Sequence, residues 1–175
     1  FSGQYYLPYS VGLLQAYIQH YISNKNKYIF DIPIYRRLTL LDNVSLVKDA
    51  DIVLFSTYVW NEQISLEIAK SIKEINPNIF IVFGGPSVPD DAVDFMSKYP
   101  WIDVAAHQEG EVSVLELLEK FPCMDFKGIN GITYRSNNEI VVNTPRKRIK
   151  NFSEVPSPYQ TGIFDRLMES VGNKH

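Results

Sequence analysis

The sequence predicts an α/β fold: a doubly wound parallel sheet with helices on both faces and a small β-hairpin near its C-terminal end. Three observations carry this prediction. Short apolar runs alternate with segments of helical periodicity, as they do in strand–helix–strand units. Residues 51–56 and 79–83 are almost wholly apolar, which is typical of parallel strands buried on both faces. The apolar runs 131–135 and 139–142 flank a short polar turn, and this pattern predicts an antiparallel pair of strands.

The first half of the chain predicts three helices and three strands. Apolar residues at a spacing of three and four indicate the helices, and the longest of these has Ile64, Ile68, Ile72 and Ile75 on one face. In chain order we expect a helix over 10–18 capped by Ser10, a strand over 28–35, a helix over 38–47, a strand over 51–56, a helix over 61–75 and a strand over 79–83.

The second half continues the alternation and then changes rhythm. A helix from Pro89 to about Lys98 is followed by a short strand over 102–106 and a helix over 111–121. The runs 131–135 and 139–142 then flank Ser136-Asn137-Asn138, whose residues suit a hairpin turn. The tail from Pro145 is first basic and then rich in Pro and Ser, as in a linker, and it ends in a predicted helix over 162–170.

Composition narrows the function classes. The chain has 175 residues, 45% of them hydrophobic, and a net charge of −3, which gives no electrostatic reason to expect nucleic acid as a partner. No apolar run is long enough to span a bilayer. The single cysteine, Cys123, excludes an internal disulfide and a cysteine-based metal cluster within this sequence. A cytoplasmic location is expected.

Three strand-to-helix turns carry the residues from which a binding site would be built. In open parallel sheets, ligands bind outside the carboxyl ends of the strands. The turns consist of hydroxyl, aromatic and amide groups after the first buried strand, two glycines after the second, and an acidic segment after the third. They are Ser56-Thr57-Tyr58-Val59-Trp60-Asn61, Gly84-Gly85-Pro86-Ser87 and Gln108-Glu109-Gly110-Glu111.

Each turn also has an ordinary structural explanation. Gly-Gly-Pro after a strand is often only a sharp turn, the aromatic residues suit core packing, and glutamates suit the first turn of a helix. The stronger argument is that all three turns fall at one edge of the sheet. We therefore expect a cleft that is lined by glycine, aromatic at one side and short of cationic side chains. The absence of G-x-x-x-x-G-K-[ST] and of G-x-G-x-x-G disfavours a nucleoside triphosphate and a dinucleotide.

The ordered set of segments resembles the N-terminal cobalamin-binding domain of cobalamin-dependent radical S-adenosylmethionine enzymes. The resemblance covers nearly the whole chain and rests on the segments LPYSVGLL, ADIVLFSTYVWN, PNIFIVFGGP, EGE, GITYR and VPSPY. That family includes methyltransferases and cyclases of the anaerobic magnesium-protoporphyrin IX monomethyl ester type. The resemblance implies a flavodoxin-like, Rossmann-like sheet of order 2-1-3-4-5 with cobalamin across the carboxyl ends of the strands. The sequence begins too late to hold the first strand of such a sheet, which is expected to be missing from it.

The resemblance also implies which residues bind the cofactor. The loop that approaches the corrin is matched by Tyr6, Leu7 and Pro8, and the turn beneath the corrin is matched by Ser56, Thr57, Tyr58 and Trp60. The loop along the nucleotide tail is matched by Gly84, Gly85, Pro86 and Ser87. The Gly-Glu-Gly-Glu segment of the family is matched by Gln108, Glu109, Gly110 and Glu111.

Two departures from the family pattern concern the cobalt and the groove. Gln108 stands where the family has glycine, and its side chain would either narrow the groove or bond a corrin amide. The D-x-H-x-x-G motif that supplies a histidine to cobalt in other cobalamin enzymes is absent, and His20, His107 and His175 are not expected to ligate the metal. The resemblance therefore implies base-off cobalamin without a protein histidine, and we expect neither catalytic residues nor metal ligands in this chain.

A third departure concerns the radical chemistry. The C-x-x-x-C-x-x-C triad of the iron–sulfur cluster is absent. S-adenosylmethionine and a [4Fe-4S] cluster are therefore expected only in a radical SAM domain downstream, in the same polypeptide. We predict a cobalamin-binding domain over 1–127, a hairpin appendage over 128–150 and a linker over 151–175. The reaction would be methyl transfer or oxidative cyclisation.

Two other functions remain open at the level of sequence. One is a stand-alone carrier or sensor of cobalamin or another tetrapyrrole, which would share the fold. The other is a flavodoxin-like protein that binds flavin, for which Ser2 and Gly3 offer only a poor phosphate loop. The residues after position 175 would separate the first from an enzyme, and an absorption spectrum with added hydroxocobalamin or flavin mononucleotide would identify the second.

Overall fold

A computed structural model of the chain describes residues 7–137 and 139–172. The chain divides into two compact units. The first combines Phe1–Arg37 with Ile149–His175, and the second is Leu38–Arg148. The predicted domain boundaries at 127/128 and 150/151 remain predictions.

The second unit contains a five-stranded sheet of order β1-β2-β3-β4-β5. The first three strands are parallel, and β4 and β5 continue the sheet as an antiparallel hairpin beside β3. In the register between β1 and β2, Ser56 lies opposite Gly84, so that both strands end at the same level. The bounds are β1 Ile52–Ser56, β2 Phe80–Gly84, β3 Val104–Ala106, β4 Ile132–Ser136 and β5 Glu139–Val142.

Of the helices of the second unit, the two that follow β1 and β2 connect the parallel strands, as the sequence predicts, whereas one helix precedes β1 and one joins β3 to the antiparallel β4. Thr39 caps the first of them, because its side chain accepts a hydrogen bond from the Asp42 backbone N–H. The longest follows β1 and has five buried positions on one side. The bounds are α2 Leu40–Val47, α3 Glu62–Ile75, α4 Val93–Lys98 and α5 Gly110–Lys120.

The core lies on both faces of the sheet, which confirms the doubly wound α/β prediction. Strand β2 alternates between the two faces, and its first four residues are buried. Ile81 and Phe83 belong to the same buried cluster as Ile72 of α3. Phe80, on the opposite face, has its ring 5.5 Å from the Phe126 ring. The hydrophobic side chains of β2 therefore have partners above and below the sheet, as the apolar run predicts.

The described residues of the first unit form two α-helices, one 3-10 helix over Phe152–Glu154 and irregular chain. Its α-helices are α1, Tyr9–Tyr21, and α6, Asp165–Gly172. Gly12 of α1 packs against the buried ring of Phe164, since a Cβ at Gly12 would lie 2.3 Å from the Phe164 ring. Helix α1 begins directly after Pro8, so Ser10 lies within the helix. The prediction that Ser10 caps this helix is therefore wrong.

The predicted strand over 28–35 is wrong, because these residues form irregular chain. A strand needs a neighbouring backbone to complete its hydrogen bonds, and Pro33 has no N–H to donate. Ile29 is 94% exposed, so the apolar run is not buried either. The order 2-1-3-4-5 is not confirmed: β1, β2 and β3 match the parallel neighbours 3, 4 and 5 of such a sheet, and the described residues contain no counterpart of strands 1 and 2.

Candidate functional site

The turn after β1 is closed by the side chain of Asn61. Its amide oxygen accepts a hydrogen bond from the Tyr58 backbone N–H at 2.7 Å, and its amide nitrogen donates to the Ser56 carbonyl oxygen at 3.0 Å. The Tyr58 carbonyl oxygen in turn accepts hydrogen bonds from the backbone N–H groups of Asn61 and Glu62. Asn61 belongs to the predicted turn but not to the cofactor-binding residues that the resemblance implies, and it fixes the turn from which the two aromatic side chains project.

Two aromatic side chains of this turn form an exposed apolar surface. The rings of Tyr58 and Trp60 are stacked, with centroids 4.7 Å apart and planes 10° from parallel. Trp60 is 74% exposed and Val59 is 87% exposed. Core packing therefore does not account for Trp60. Exposed aromatic groups held in a fixed orientation are typical of a surface that binds a flat or apolar partner.

The turn after β2 packs directly on the turn after β1. The Thr57 backbone N–H and hydroxyl both donate to the Gly84 carbonyl oxygen, at 2.7 and 2.8 Å. The Ser87 backbone N–H returns a hydrogen bond to the Thr57 carbonyl oxygen at 3.2 Å. These bonds join the first two predicted turns into one rigid edge.

The two glycines of this turn have different roles. Gly85 has φ of +101°, and a Cβ there would lie 2.5 Å from the Thr57 carbonyl oxygen and 2.8 Å from its nitrogen. The close approach that Gly85 permits is therefore made by the protein backbone, and the expectation that both glycines also serve the ligand stays a prediction. At Gly84 a Cβ would find only ordinary contacts with Ala106, at 3.8 Å. The packing of the protein therefore does not require glycine at position 84.

The turn after β3 brings the acidic segment to the same edge. Gly84 is adjacent to Ala106, the last residue of β3, and α5 begins four residues later at Gly110, with Glu109 preceding it. Gln108 has φ of 55°, the left-handed region that favours glycine. This backbone conformation explains why the resemblance implies glycine at this position. It also means that the backbone of Gln108 is strained.

Three polar atoms at this edge are enclosed but have no hydrogen-bond partner among the described residues. They are the Ser87 hydroxyl oxygen, the Oε2 atom of Glu111 and the Nδ1 atom of His107. Burial raises the pKa of the Glu111 carboxyl, and the nearby Glu109 carboxylate raises it further. Unsatisfied buried polar groups cost about 1–3 kcal/mol each and call for a partner. A ligand with donors and acceptors at this edge would provide one.

His107 precedes Gln108, but one of its ring nitrogens is already engaged. Its Nε2 lies 2.9 Å from the Thr133 hydroxyl of β4, which is fully buried. Burial lowers the pKa of His107, and the Pro89 carbonyl and the carboxylates of Asp90 and Asp91 oppose this effect in part. The folded state therefore disfavours the imidazolium form of His107.

A cavity of about 230 Å³ lies beside the third turn. One wall consists of Asp90, His107, Gln108 and Glu109, and the other is the segment from Val142 to Arg148. The sequence had predicted a cleft without cationic side chains. That expectation is wrong here, because the chain after β5 returns to the carboxyl edge of the sheet and carries three basic residues with it.

The structure thus brings together most of the predicted binding residues. Those of the three turns share one edge of the second unit. Leu7 and Pro8 belong to the first unit, where they precede α1, and Tyr6 lies outside the described residues. The described residues hold no cluster of three or more His, Cys, Asp or Glu side chains able to bind a metal ion. Within them, no helix is both long and apolar enough to cross a membrane.

Comparison with known proteins identifies the segment that holds these turns. Residues 39–118 match the family model described as the B12 binding domain. This segment of the chain is similar to the B12-binding domain. All three turns, from Ser56 to Glu111, fall within the matched segment, whereas β4, β5 and the residues from Val142 to Arg148 lie beyond it.

Two curated relatives match the chain beyond the B12-binding domain. The cobalamin-dependent radical SAM methyltransferase TokK of Streptomyces tokunonensis is 35% identical over 164 residues, which is 91% of this chain and 24% of the relative. The 2-(S-pantetheinyl)-carbapenam-3-carboxylate methyltransferase of Streptantibioticus cattleyicolor is 33% identical over 162 residues, again 91% of this chain and 24% of the relative. The chain therefore spans about a quarter of the length of these relatives.

A solved structure has a similar fold over most of the chain. The cobalamin-dependent S-adenosylmethionine radical enzyme OxsB, with aqua-cobalamin and S-adenosylmethionine bound, superposes with a TM-score of 0.66 and 22% identity. The match covers 91% of this chain and 23% of OxsB. It confirms the predicted Rossmann-like class.

Proposed function

We propose that the chain is the cobalamin-binding module of a cobalamin-dependent radical SAM enzyme. One observation carries the proposal: three turns at the carboxyl edge of the sheet, two of them hydrogen-bonded to each other, all lie inside the segment that matches the B12-binding domain. In parallel α/β sheets this edge is where ligands bind. The module itself would position the cofactor and exclude water, and the reactive centre would belong to the cofactor.

The residues at this edge fit a corrinoid. The corrin ring is broad and largely apolar, and the exposed stack of Tyr58 and Trp60 offers a surface of that character. Its side-chain amides and the hydroxyl of its nucleotide tail provide hydrogen-bond donors and acceptors. The enclosed Ser87 hydroxyl and Glu111 Oε2 have no other partner among the described residues. Cobalamin, when bound, supplies a cobalt centre that can carry a methyl group.

Each turn would have a separate role. Tyr58 and Trp60 would cover one face of the corrin and keep water from it. Gly84, whose backbone has room beside it, would lie along the nucleotide tail. The segment Gln108–Glu111 would bond the polar periphery. Gly85 and Pro86 would act through the shape of their turn, because Gly85 is already in contact with Thr57.

We further propose base-off cobalamin without a histidine ligand from this chain. His107 is the histidine nearest to the three turns in sequence, and its Nε2 is engaged by Thr133. His20 lies in α1 of the first unit, edge-on to the Tyr21 ring. These observations support a module that would hold cobalamin without a histidine ligand of its own.

The reaction of the full-length protein is proposed from its relatives. Both curated relatives described above are named methyltransferases, which favours methyl transfer over oxidative cyclisation. The sequence has one cysteine and therefore no iron–sulfur triad. A C-terminal radical SAM domain of the same polypeptide would supply S-adenosylmethionine and the [4Fe-4S] cluster, with residues 151–175 as the linker.

An absorption titration tests the cofactor. The chain is titrated with hydroxocobalamin and, separately, with flavin mononucleotide, and each mixture is passed over a size-exclusion column. We expect hydroxocobalamin alone to co-elute. Trp60→Ala should weaken its binding about 10-fold or more, because an exposed indole loses its contact with the ligand.

Phe152→Ala provides a matched control, since Phe152 is 73% exposed and Trp60 is 74% exposed. Phe152 lies in the first unit, outside the three turns. It should leave the affinity unchanged. Co-elution of flavin mononucleotide without hydroxocobalamin would overturn the proposal in favour of a flavin-binding protein.

A further inference from the structure

The segment after β5 is fixed against the carboxyl edge of the sheet. The Asn143 backbone N–H donates to the Ile132 carbonyl oxygen at 3.0 Å, and the Thr144 carbonyl oxygen accepts from the Gly131 N–H at 2.8 Å. The Asn143 side-chain amide donates to the carbonyl oxygens of Phe126 and Ile129, at 2.8 and 2.9 Å. These bonds extend the ladder past the end of β5 and direct the chain along the edge.

Arg146 anchors the basic part of this segment. Its guanidinium donates through Nε to the Ser113 hydroxyl at 2.9 Å and to the Asn130 carbonyl oxygen at 3.1 Å, and through Nη2 to the Glu116 carboxylate of α5. Ser113 is fully buried. The charge of Arg146 is therefore neutralised by Glu116, and its role is structural.

Lys147 and Arg148 differ from Arg146. Both side chains are exposed, both line the cavity, and within the described residues neither makes a salt bridge or a side-chain hydrogen bond. Two cations beside a cavity without a protein partner are suited to bind an anion. Their position is well defined, because the residues on their N-terminal side are fixed by Asn143 and Arg146.

The opposite wall limits which anion fits. It carries the carboxyl groups of Asp90 and Glu109, so a ligand group here must combine negative charge with hydrogen-bond donors. A phosphate monoester carries nearly two charges at neutral pH, whereas a phosphodiester carries only one. A phosphodiester flanked by an amide N–H and a ribose hydroxyl has the required combination. The nucleotide tail of cobalamin has these groups.

We propose that Lys147 and Arg148 form a subsite for the phosphodiester of the cobalamin nucleotide tail. The inference rests on the proposed function and adds to it a segment that lies outside residues 39–118. A cavity of about 230 Å³ is smaller than the pockets of roughly 300–1,000 Å³ that enclose whole drug-sized ligands, so it would take part of the cofactor. The basic segment, predicted from sequence as a solvated linker, would then be a wall of the binding site.

Comparing the affinities for cobalamin and cobinamide measures what the nucleotide tail, with its phosphodiester, contributes to binding. Cobinamide has the corrin ring of cobalamin but lacks the phosphate, the ribose and the base. Dissociation constants of both are measured by absorption for the wild-type chain and for Lys147→Ala/Arg148→Ala. We expect the double variant to bind cobalamin about 10-fold more weakly or worse and cobinamide within about 2-fold of the wild type. The difference should shrink as KCl is raised, because salt screens the ion pairs.

Two control variants complete the experiment. Lys48→Ala/Lys127→Ala removes the same charge from the second unit at residues that do not line the cavity, and it should bind both corrinoids like the wild type. Lys147→Arg/Arg148→Lys keeps the charge and should retain the affinity for cobalamin. Urea denaturation of all variants checks that the fold is unchanged.

The possible results separate the subsite from the proposed function. Equal weakening of cobalamin and cobinamide by Lys147→Ala/Arg148→Ala would overturn the subsite, since the segment would then support the corrin. Unchanged binding of both ligands would overturn it as well, while tight binding of cobalamin would leave the proposed function intact. A wild-type chain that binds neither corrinoid would refute both proposals.

Discussion

Replacing Gly85 by alanine is expected to destabilise the second unit without any ligand present. Gly85 has φ of +101°, a conformation that side chains rarely adopt. A Cβ at this position would lie 2.5 Å from the Thr57 carbonyl oxygen and 2.8 Å from the Thr57 nitrogen. Both contacts are with backbone atoms, which cannot rotate away as the end of a side chain can.

The size of the effect follows from these two terms. A residue held in a sparsely populated backbone region costs about 1–3 kcal/mol. Overpacking at a well-packed site costs about 1–3 kcal/mol more. We therefore expect Gly85→Ala to lower the free energy of unfolding by roughly 2–6 kcal/mol, a large part of the roughly 5–15 kcal/mol of a natural domain.

Gly84→Ala provides the matched comparison. It is the preceding residue in the chain, its φ is not in the left-handed region, and a Cβ there would meet Ala106 only at 3.8 Å. Its free energy of unfolding should change by less than about 0.5 kcal/mol. If the cofactor proposal is right, however, Gly84→Ala should weaken cobalamin binding, since Gly84 is the residue at which β2 ends at the carboxyl edge of the sheet.

Urea denaturation followed by circular dichroism measures both variants. The test is the contrast between the two adjacent glycines. We expect a large decrease in the free energy of unfolding for Gly85→Ala and almost no decrease for Gly84→Ala. Equal stabilities for the two variants would refute the assignment of Gly85 to the contact with Thr57.

Two further predictions concern the turn after β3. Gln108→Gly should raise the free energy of unfolding by about 0.5–1 kcal/mol, because glycine adopts the φ of 55° without the cost that a side chain incurs; an unchanged or lower urea midpoint would contradict this. Burial lowers the pKa of His107, so the folded state disfavours the imidazolium, and this group's contribution to stability should decrease as the pH falls through about 6.5. His107→Gln, which can still bond Thr133, should lack this part of the pH dependence, and parallel curves of midpoint against pH for the two chains would show that His107 does not titrate as we infer.

The fold was accessible to sequence analysis because its strongest signals are local. The apolar run that became β2 is buried on both faces, whereas in β1 only Val53 is buried. Of the four isoleucines predicted on one face of α3, Ile68 and Ile72 lie in the core, and the two nearest the helix ends are exposed. The segment 28–35 has a similar apolar pattern but no partner strand, and pairing is a property of the whole fold that a local pattern cannot reveal. Ser10 was misassigned for a related reason, since several positions near Pro8 suit the start of a helix.

The candidate site could be predicted from the sequence only in part. The three turns could be placed at one edge because parallel strands align their carboxyl ends. The contact between Gly85 and Thr57 joins residues from two turns, so the sequence could not show that the protein itself fills the space at this glycine. Likewise, the return of residues 142–148 to the third turn depends on hydrogen bonds of Asn143 to three other segments. A pattern of basic residues alone resembles a solvated linker.

The most direct test of the central claim, that cobalamin binds at this edge, uses the fluorescence of Trp60. Trp101→Phe leaves Trp60 as the single tryptophan of the chain. We predict that hydroxocobalamin quenches its emission with saturation at one equivalent per chain, because the corrin absorbs near the emission of an indole that it covers. Emission that declines without saturation, no more than that of free tryptophan in the same solution, would contradict the account.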